Sequence, residues 1–149
     1  PGLAQRMSAG RGIWHSEKNW SPTDEVHFIQ MWVVPDTESI DPSYQQLDVN
    51  DQLAAGGLVP IASGRDHDAA ISIRQRDAVL WAARTSPGEK LVIPASEFAH
   101  VFVAKGNLTV EGAGSLGTGD SARLTSTDAL DAVADDASEV LVWTTGSMR

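Results

Sequence analysis

The sequence predicts an all-β fold, an antiparallel β-sandwich or barrel, on three observations. Short runs rich in β-branched and aromatic residues recur from residue 58 onward. Turn-forming segments with Gly, Pro, Asp or Asn separate these runs. Helical periodicity is scarce, and strands do not alternate with helices as they would in a parallel α/β fold. Closely spaced short strands divided by turns are typical of antiparallel sandwiches and barrels.

Two strands are expected in the first quarter of the chain. Residues 12–20, GIWHSEKNW, are predicted to be extended, which would place His15 and Glu17 on the same face of a sheet. Residues 26–35, VHFIQMWVVP, are rich in β-branched and aromatic residues and end at a proline. Both faces of this second strand are largely apolar, so we expect it to lie between two layers.

The middle of the chain is predicted to be a connector followed by a series of strands. Residues 36–57 are polar and lack a clear period, apart from a short helix expected near residues 51–55 and ended by Gly56. The strand candidates that follow are LVPIA (58–62), AISIR (70–74), AVLWAA (78–83), KLVIP (90–94), HVFVA (100–104), LTVEG (108–112), ARL (122–124) and EVLVW (139–143). The turns between them are SGRD, SPGEK, AKGN, GTGD and ADDAS.

Composition narrows the classes of function. The 149 residues suit one ordinary domain or part of a larger two-domain protein. A net charge of −9 disfavours direct binding to nucleic acid and to anionic membrane surfaces. The absence of cysteine excludes disulfides, thiolate metal sites and cysteine nucleophiles. The longest apolar run is far shorter than a membrane span, and we expect a cytoplasmic protein.

The four histidines differ in what their surroundings suggest. His15 and Glu17 could together hold a metal ion, although on spacing alone a surface His–Glu pair is the commoner arrangement. His27 lies among apolar neighbours and suggests a core or pocket-wall histidine. His67, in RDHD, is expected on a solvated loop. His100 opens a predicted strand without a second histidine two residues on, which argues against a complete metal site in the C-terminal part.

A glycine motif at residues 112–117, GAGSLG, matches the dinucleotide-binding pattern G-x-G-x-x-G. The residues that follow, TGDSARL, predict a turn and a strand rather than a helix. Without a helix N-terminus there is no site for a pyrophosphate. The segment is therefore predicted to be a loop between strands.

The order and spacing of three segments resemble pirin and the bacterial pirin-like proteins. These are MSAGRGIWHSEKN (7–19), VHFIQMWVVP (26–35) and PSYQQ (42–46), and KGNLTVEG and SEVLVW further along resemble the second half of the family. The resemblance implies a bicupin, two β-sandwich barrels in one chain. It also implies one metal ion, usually taken as iron, held in the N-terminal barrel by three histidines and one glutamate. The match assigns two of these ligand roles to His15 and Glu17.

The chain departs from the family pattern in one respect. The family's first two histidine ligands form an H-x-H segment, and no such segment occurs here. We therefore expect a fragment cut inside the first barrel. Residues 1–50 would be the end of the N-terminal cupin and the crossover, and residues 51–149 a complete C-terminal cupin. Such a chain should bind metal weakly or not at all, because two protein ligands leave most of the coordination to water.

Two functions stay open for the intact protein. In the first, a quercetin 2,3-dioxygenase-type enzyme uses one divalent transition metal, with Fe(II) the first choice, to open a flavonol-like ring. His15 would hold the ion, Glu17 would take the hydroxyl proton as general base, and Ile13, Phe28 and Met31 could face the aromatic substrate. In the second, a metal-dependent partner of other proteins acts in transcription control without turnover. The 149 residues alone are expected to be an inactive cupin-type sandwich.

Overall fold

A computed structural model describes residues 2–65 and 67–146. Over this part of the chain the secondary structure is almost entirely β. The elements are β1 (Leu3–Ser8), β2 (Ser43–Asp48), α1 (Asn50–Ala54), β3 (Val59–Ser63), β4 (Ile71–Ser72), β5 (Val79–Thr85), β6 (Lys90–Ile93), β7 (Ser96–Lys105), β8 (Asn107–Val110), β9 (Gly114–Gly117), β10 (Ser121–Thr127), β11 (Leu130–Ala134) and β12 (Ser138–Thr145). No helix among the described residues is long and apolar enough to cross a membrane.

Two sheets form a sandwich, which confirms the predicted fold class. One has six strands in the order β10-β7-β12-β5-β3-β4, and the other has four in the order β6-β11-β8-β9. Neighbouring strands are antiparallel except for the short parallel pair of β3 and β4. The inner faces enclose a core of Val, Leu, Ile and Ala in which Leu108, Val101 and Val103 are 0% exposed. Burial of this apolar surface is the main force that holds the sheets together.

The six-stranded sheet is also covered on part of its outer face. A second buried cluster there includes Val49 and Leu53 of the α1 region, which pack near Leu80 and Ala82 of β5. On β12, Val140 and Val142 belong to the inner core, whereas the intervening Leu141 packs against the outer cluster. The helix and its preceding strands therefore cover the β12-β5-β3 side of the outer face and leave the β10-β7 side open.

The two strands predicted in the first quarter of the chain were wrong. Residues 9–42 form neither a strand nor a helix. The apolar side chains of the VHFIQMWVVP segment are open to solvent, with Trp32 92% and Phe28 62% exposed. A strand is stable only when its backbone groups pair with a neighbour, and no described strand forms such a pair with this segment.

Three further expectations need correction. The predicted connector contains β2, which pairs with β1 from Leu3 opposite Asp48 to Ser8 opposite Ser43. The sequence of β2, SYQQLD, is mostly polar and therefore did not predict a strand. The predicted glycine loop contains β9, and β11 was not predicted at all. The short helix was correct, because α1 is followed by Gly56 with a left-handed φ of +82°.

Candidate functional site

His15 and Glu17 lie in the part of the chain that has no regular structure. Both side chains are exposed, and neither forms an ion pair or a side-chain hydrogen bond within the described residues. The expected strand that would align them on one face is absent. Their role as metal ligands therefore stays a prediction from the sequence.

The described residues do not complete a metal site. No group of three or more His, Cys, Asp or Glu is placed to hold an ion within residues 2–65 and 67–146. Transition-metal centres in proteins ordinarily have three or four protein ligands. His15 and Glu17 have suitable ligand chemistry but supply at most two of them.

The segment that carries these two residues is tied to the sandwich at its C-terminal end. The indole nitrogen of Trp143 donates to the sulfur of Met31 over 3.1 Å. The amide nitrogen of the Gln75 side chain donates to the carbonyl of Val34 over 3.3 Å, and the backbone N–H of Asp36 donates to the carbonyl of Arg74 over 2.7 Å. These contacts hold residues 31–36 against β12 and against the loop between β4 and β5.

The N-terminal end of the same segment is anchored to residues 40 and 41. The backbone N–H of Arg11 donates to the carbonyl of Ile40 over 3.0 Å, and the Arg11 guanidinium pairs with Asp41. His15 and Glu17 therefore lie on a span between two anchored ends. The half-buried Ile13 and the exposed Phe28 and Met31, suggested as a substrate wall, do not line the groove that the structure forms elsewhere.

His27 does not have the surroundings predicted for it, whereas His67 does. His27 is exposed and not in a strand, because the strand that would have buried it is absent. His67 is exposed, and its Nδ1 lies 3.3 Å from the hydroxyl of Ser63. Its ring meets Trp81 edge to face, with the ring centroids 5.2 Å apart. Asp66, one of the two flanking aspartates, lies outside the described residues.

His100 lies in the middle of β7 rather than at its start, and it lines a groove on the outer face of the six-stranded sheet. The groove has a volume of about 380 Å³ and spans β10, β7 and β12. His100 lies opposite Arg123 on one side and Trp143 on the other. Sequence reasoning missed this site because the three residues meet only through strand pairing.

Among the described residues two carboxyl groups have a perturbed pKa, Asp48 at the end of β2 and Asp136 between β11 and β12. Hydrogen bonds from the side chain and the backbone of Asn107, each 2.7 Å, lower the pKa of Asp136. A 2.9 Å bond from the backbone N–H of Asn50 lowers the pKa of Asp48. Hydrogen bonds to the charged form stabilise it, so both carboxylates organise turns.

Comparisons with known proteins agree with this architecture. The family model of pirin matches residues 1–33, and the model of the quercetinase C-terminal cupin domain matches residues 60–143. A Mycobacterium tuberculosis relative named "Putative quercetin 2,3-dioxygenase" is 52% identical over 144 residues, which are 96% of this chain and 59% of that protein. The quercetin 2,3-dioxygenase of Escherichia coli K12 is 32% identical over 143 residues, 95% of this chain and 60% of that protein.

A solved structure is also similar. The bacterial pirin YhhW from Escherichia coli, crystallised in complex with nickel(II), superimposes with a TM-score of 0.86 at 32% identity, covering 99% of this chain and 62% of that one. The chain thus spans about three-fifths of the length of these relatives. The cupin-domain match covers more than half of the chain, and the sandwich has the corresponding fold. The chain belongs to the pirin family of cupin proteins.

Proposed function

We propose that His15 and Glu17 contribute two ligands to the divalent-metal centre of a quercetin 2,3-dioxygenase-type protein. The observation that carries this proposal is the pirin match over residues 1–33, which includes both side chains. The names of the Mycobacterium tuberculosis and Escherichia coli relatives support the reaction class. The nickel(II) complex of the related bacterial pirin supports a divalent ion, and Fe(II) is our proposal for the native one.

The remaining ligands would come from residues beyond those that the structure describes. These 149 residues align with about 60% of the Escherichia coli dioxygenase, so the rest of such a protein could supply them. The 149 residues by themselves are proposed to be inactive toward quercetin.

Within this proposal both side chains bind the ion, and Glu17 has a second task. A neutral imidazole at His15 would help to hold the ion. The carboxylate of Glu17 would take the proton from the substrate hydroxyl as a general base.

The experiment uses the protein at its full natural length, loaded with Fe(II) and mixed with quercetin in an oxygen electrode. We expect oxygen uptake that falls by at least about 100-fold in Glu17→Gln, since a general base contributes 10²–10⁴-fold. The matched control is Glu25→Gln, an exposed glutamate in the same segment, which should keep the wild-type rate. Full activity in Glu17→Gln would remove Glu17 from the mechanism.

A second function is favoured by the exposed aromatic surface of the same segment. Trp14, Trp20 and Trp32 are nearly or fully exposed, and tryptophan is enriched where proteins bind one another. We propose as the alternative a metal-dependent protein-interaction role, as in a transcription co-regulator without turnover. Full metal occupancy without any oxygen uptake in the experiment above would contradict the enzyme and favour this alternative.

A further inference from the structure

The groove on the outer face of the six-stranded sheet has a two-row floor. The first row runs across three strands as Arg123, His100 and Trp143. The second row has Phe98 at its centre, with Thr125 on one side and Thr145 on the other. Opposite residues in an antiparallel pair have their Cβ atoms about 5 Å apart, so each row presents its side chains together. The groove contains neither His15 nor Glu17.

Arg123 supplies a positive charge that the described residues leave unpaired. It takes part in none of the three ion pairs and in no side-chain hydrogen bond found among them. Three of the seven described arginines pair with a carboxylate, and Arg123, the arginine that lines the groove, is not one of them. A planar guanidinium matches a carboxylate with two parallel hydrogen bonds, and His100 beside it adds another possible donor.

The rest of the groove is suited to a flat apolar ring. Phe98 is 42% exposed and lies two residues from His100 on the same face of β7. Trp143 is half-buried, and its indole N–H is held by the 3.1 Å bond to the sulfur of Met31. Two aromatic side chains beside one guanidinium favour stacking and edge contacts with an aromatic ligand.

We propose that this groove binds small aromatic carboxylates, with the carboxylate on Arg123 and the ring against Phe98 and Trp143. The volume of about 380 Å³ lies at the small end of ligand sites, which suits a ligand of one or two rings. A single guanidinium on an acidic protein suits a monoanion better than a polyphosphate or a nucleic acid. The groove contains neither His15 nor Glu17, so this proposal does not rest on the proposed oxygenase activity.

The test uses the 149-residue chain and follows backbone amide shifts by NMR during titration with benzoate. We expect saturable shifts centred on His100 and Thr125. Benzyl alcohol, which lacks the charge, and cyclohexanecarboxylate, which lacks the aromatic ring, should each bind more weakly than benzoate. Because the titration needs neither metal nor turnover, its outcome is separate from that of the quercetin experiment.

Variants place the ligand in the groove. Arg123→Gln should weaken benzoate binding by about tenfold or more, because it removes a charge-assisted pair. Phe98→Leu keeps apolar bulk but removes the ring, and it should weaken benzoate more than cyclohexanecarboxylate. Arg74→Gln, which removes another exposed arginine, is the control and should leave binding unchanged.

Two results would overturn the proposal. One is the absence of saturable shifts at His100 and Thr125 in the wild-type chain. The other is unchanged benzoate affinity in Arg123→Gln, provided that its dispersed amide spectrum shows that the variant is folded. Equal affinity for benzoate and cyclohexanecarboxylate would contradict the aromatic specificity.

Discussion

The β-sandwich and the segment of residues 9–42 contain similar apolar sequences, but the apolar side chains are buried in the sandwich and exposed in the segment. On β12 every second side chain is buried, and Val140 and Val142 lie in the inner core. In the segment, Phe28 and Trp32 also occupy alternate positions, yet both face solvent. The difference is backbone pairing, because β12 is hydrogen-bonded to β5 and β7, whereas no strand among the described residues pairs with the segment. Alternating apolar residues therefore predict which face of a strand can be buried, but they do not specify the neighbouring strand or sheet that buries it.

The largest expected effect comes from truncating one apolar side chain in each region. Leu108→Ala should lower the free energy of unfolding by about 2–5 kcal/mol, because it leaves a cavity in a core where Leu108 is fully buried. Phe28→Ala should change it by no more than about 0.5 kcal/mol, because the side chain already faces water. Urea denaturation of both variants measures the difference. Equal losses would show that the segment is packed in solution.

A pair of glycines tests whether the turns of the sandwich are as tightly packed as its core. Gly106 and Gly88 have similar left-handed φ values, +84° and +79°. A Cβ at Gly106 would lie 2.4 Å from the hydroxyl of Ser138 and 2.6 Å from the carbonyl of Ala137, whereas a Cβ at Gly88 meets nothing within 4 Å. Both alanine variants should lose about 1 kcal/mol to backbone strain. Gly106→Ala should lose about 1–3 kcal/mol more in the same urea assay, and equal losses would contradict this packing.

Limited proteolysis compares how readily the backbone of each region opens to a protease. Lys18 lies in the segment without regular structure, whereas Arg84 lies in β5 and donates to Glu139 over 3.2 Å and to Asn50 over 2.7 Å. Trypsin should cut after Lys18 at least about 100-fold faster than after Arg84, since cleavage in a strand requires unfolding. Mass spectrometry of timed samples identifies the first cut, and Lys18→Gln should remove it. Comparable rates at the two sites would mean that the segment is structured or covered.

The smallest expected effect is on the loss of folding stability at low pH. Hydrogen bonds from Asn107 lower the pKa of Asp136 in the folded protein below that in the unfolded chain. The associated stability is therefore complete above the unfolded-state pKa and is lost as pH falls through the lower folded-state pKa. Asp136→Asn should reduce the loss of stability on acidification, measured as the urea midpoint from neutral pH downward. Asp128→Asn, at a carboxylate with no hydrogen bond among the described residues, should leave that pH dependence unchanged.

The sandwich could be predicted because its strands are marked locally. The β-branched runs of β5 and β12 and the turns between strands are visible in a single sequence. The polar β2 and the glycine-rich β9 lack that composition. They form strands because β2 pairs with β1, with Leu47 opposite Ala4, and β9 pairs with β8, with Leu116 opposite Leu108. Their formation depends on tertiary context, which outweighs intrinsic β-propensity.

The candidate sites show the same limit. His15 and Glu17 were found because they are close in sequence within a recognisable motif. The groove was missed because His100, Arg123 and Trp143 are far apart in sequence and become neighbours only through the register of β10, β7 and β12. Strand register depends on the whole sheet, so such a site requires a structure.

The central claim is that His15 and Glu17 are metal ligands. The most direct test of it is the metal content of the protein at its full natural length. The protein, its His15→Ala and Glu17→Ala variants and a His27→Ala control would be loaded with Fe(II), desalted and analysed for metal per chain. His27 is an exposed histidine in the same segment, which makes it a matched control. We predict one ion per chain in the wild type and in His27→Ala, and a loss of at least about tenfold in affinity in the other two. Full metal content in both His15→Ala and Glu17→Ala would contradict the account.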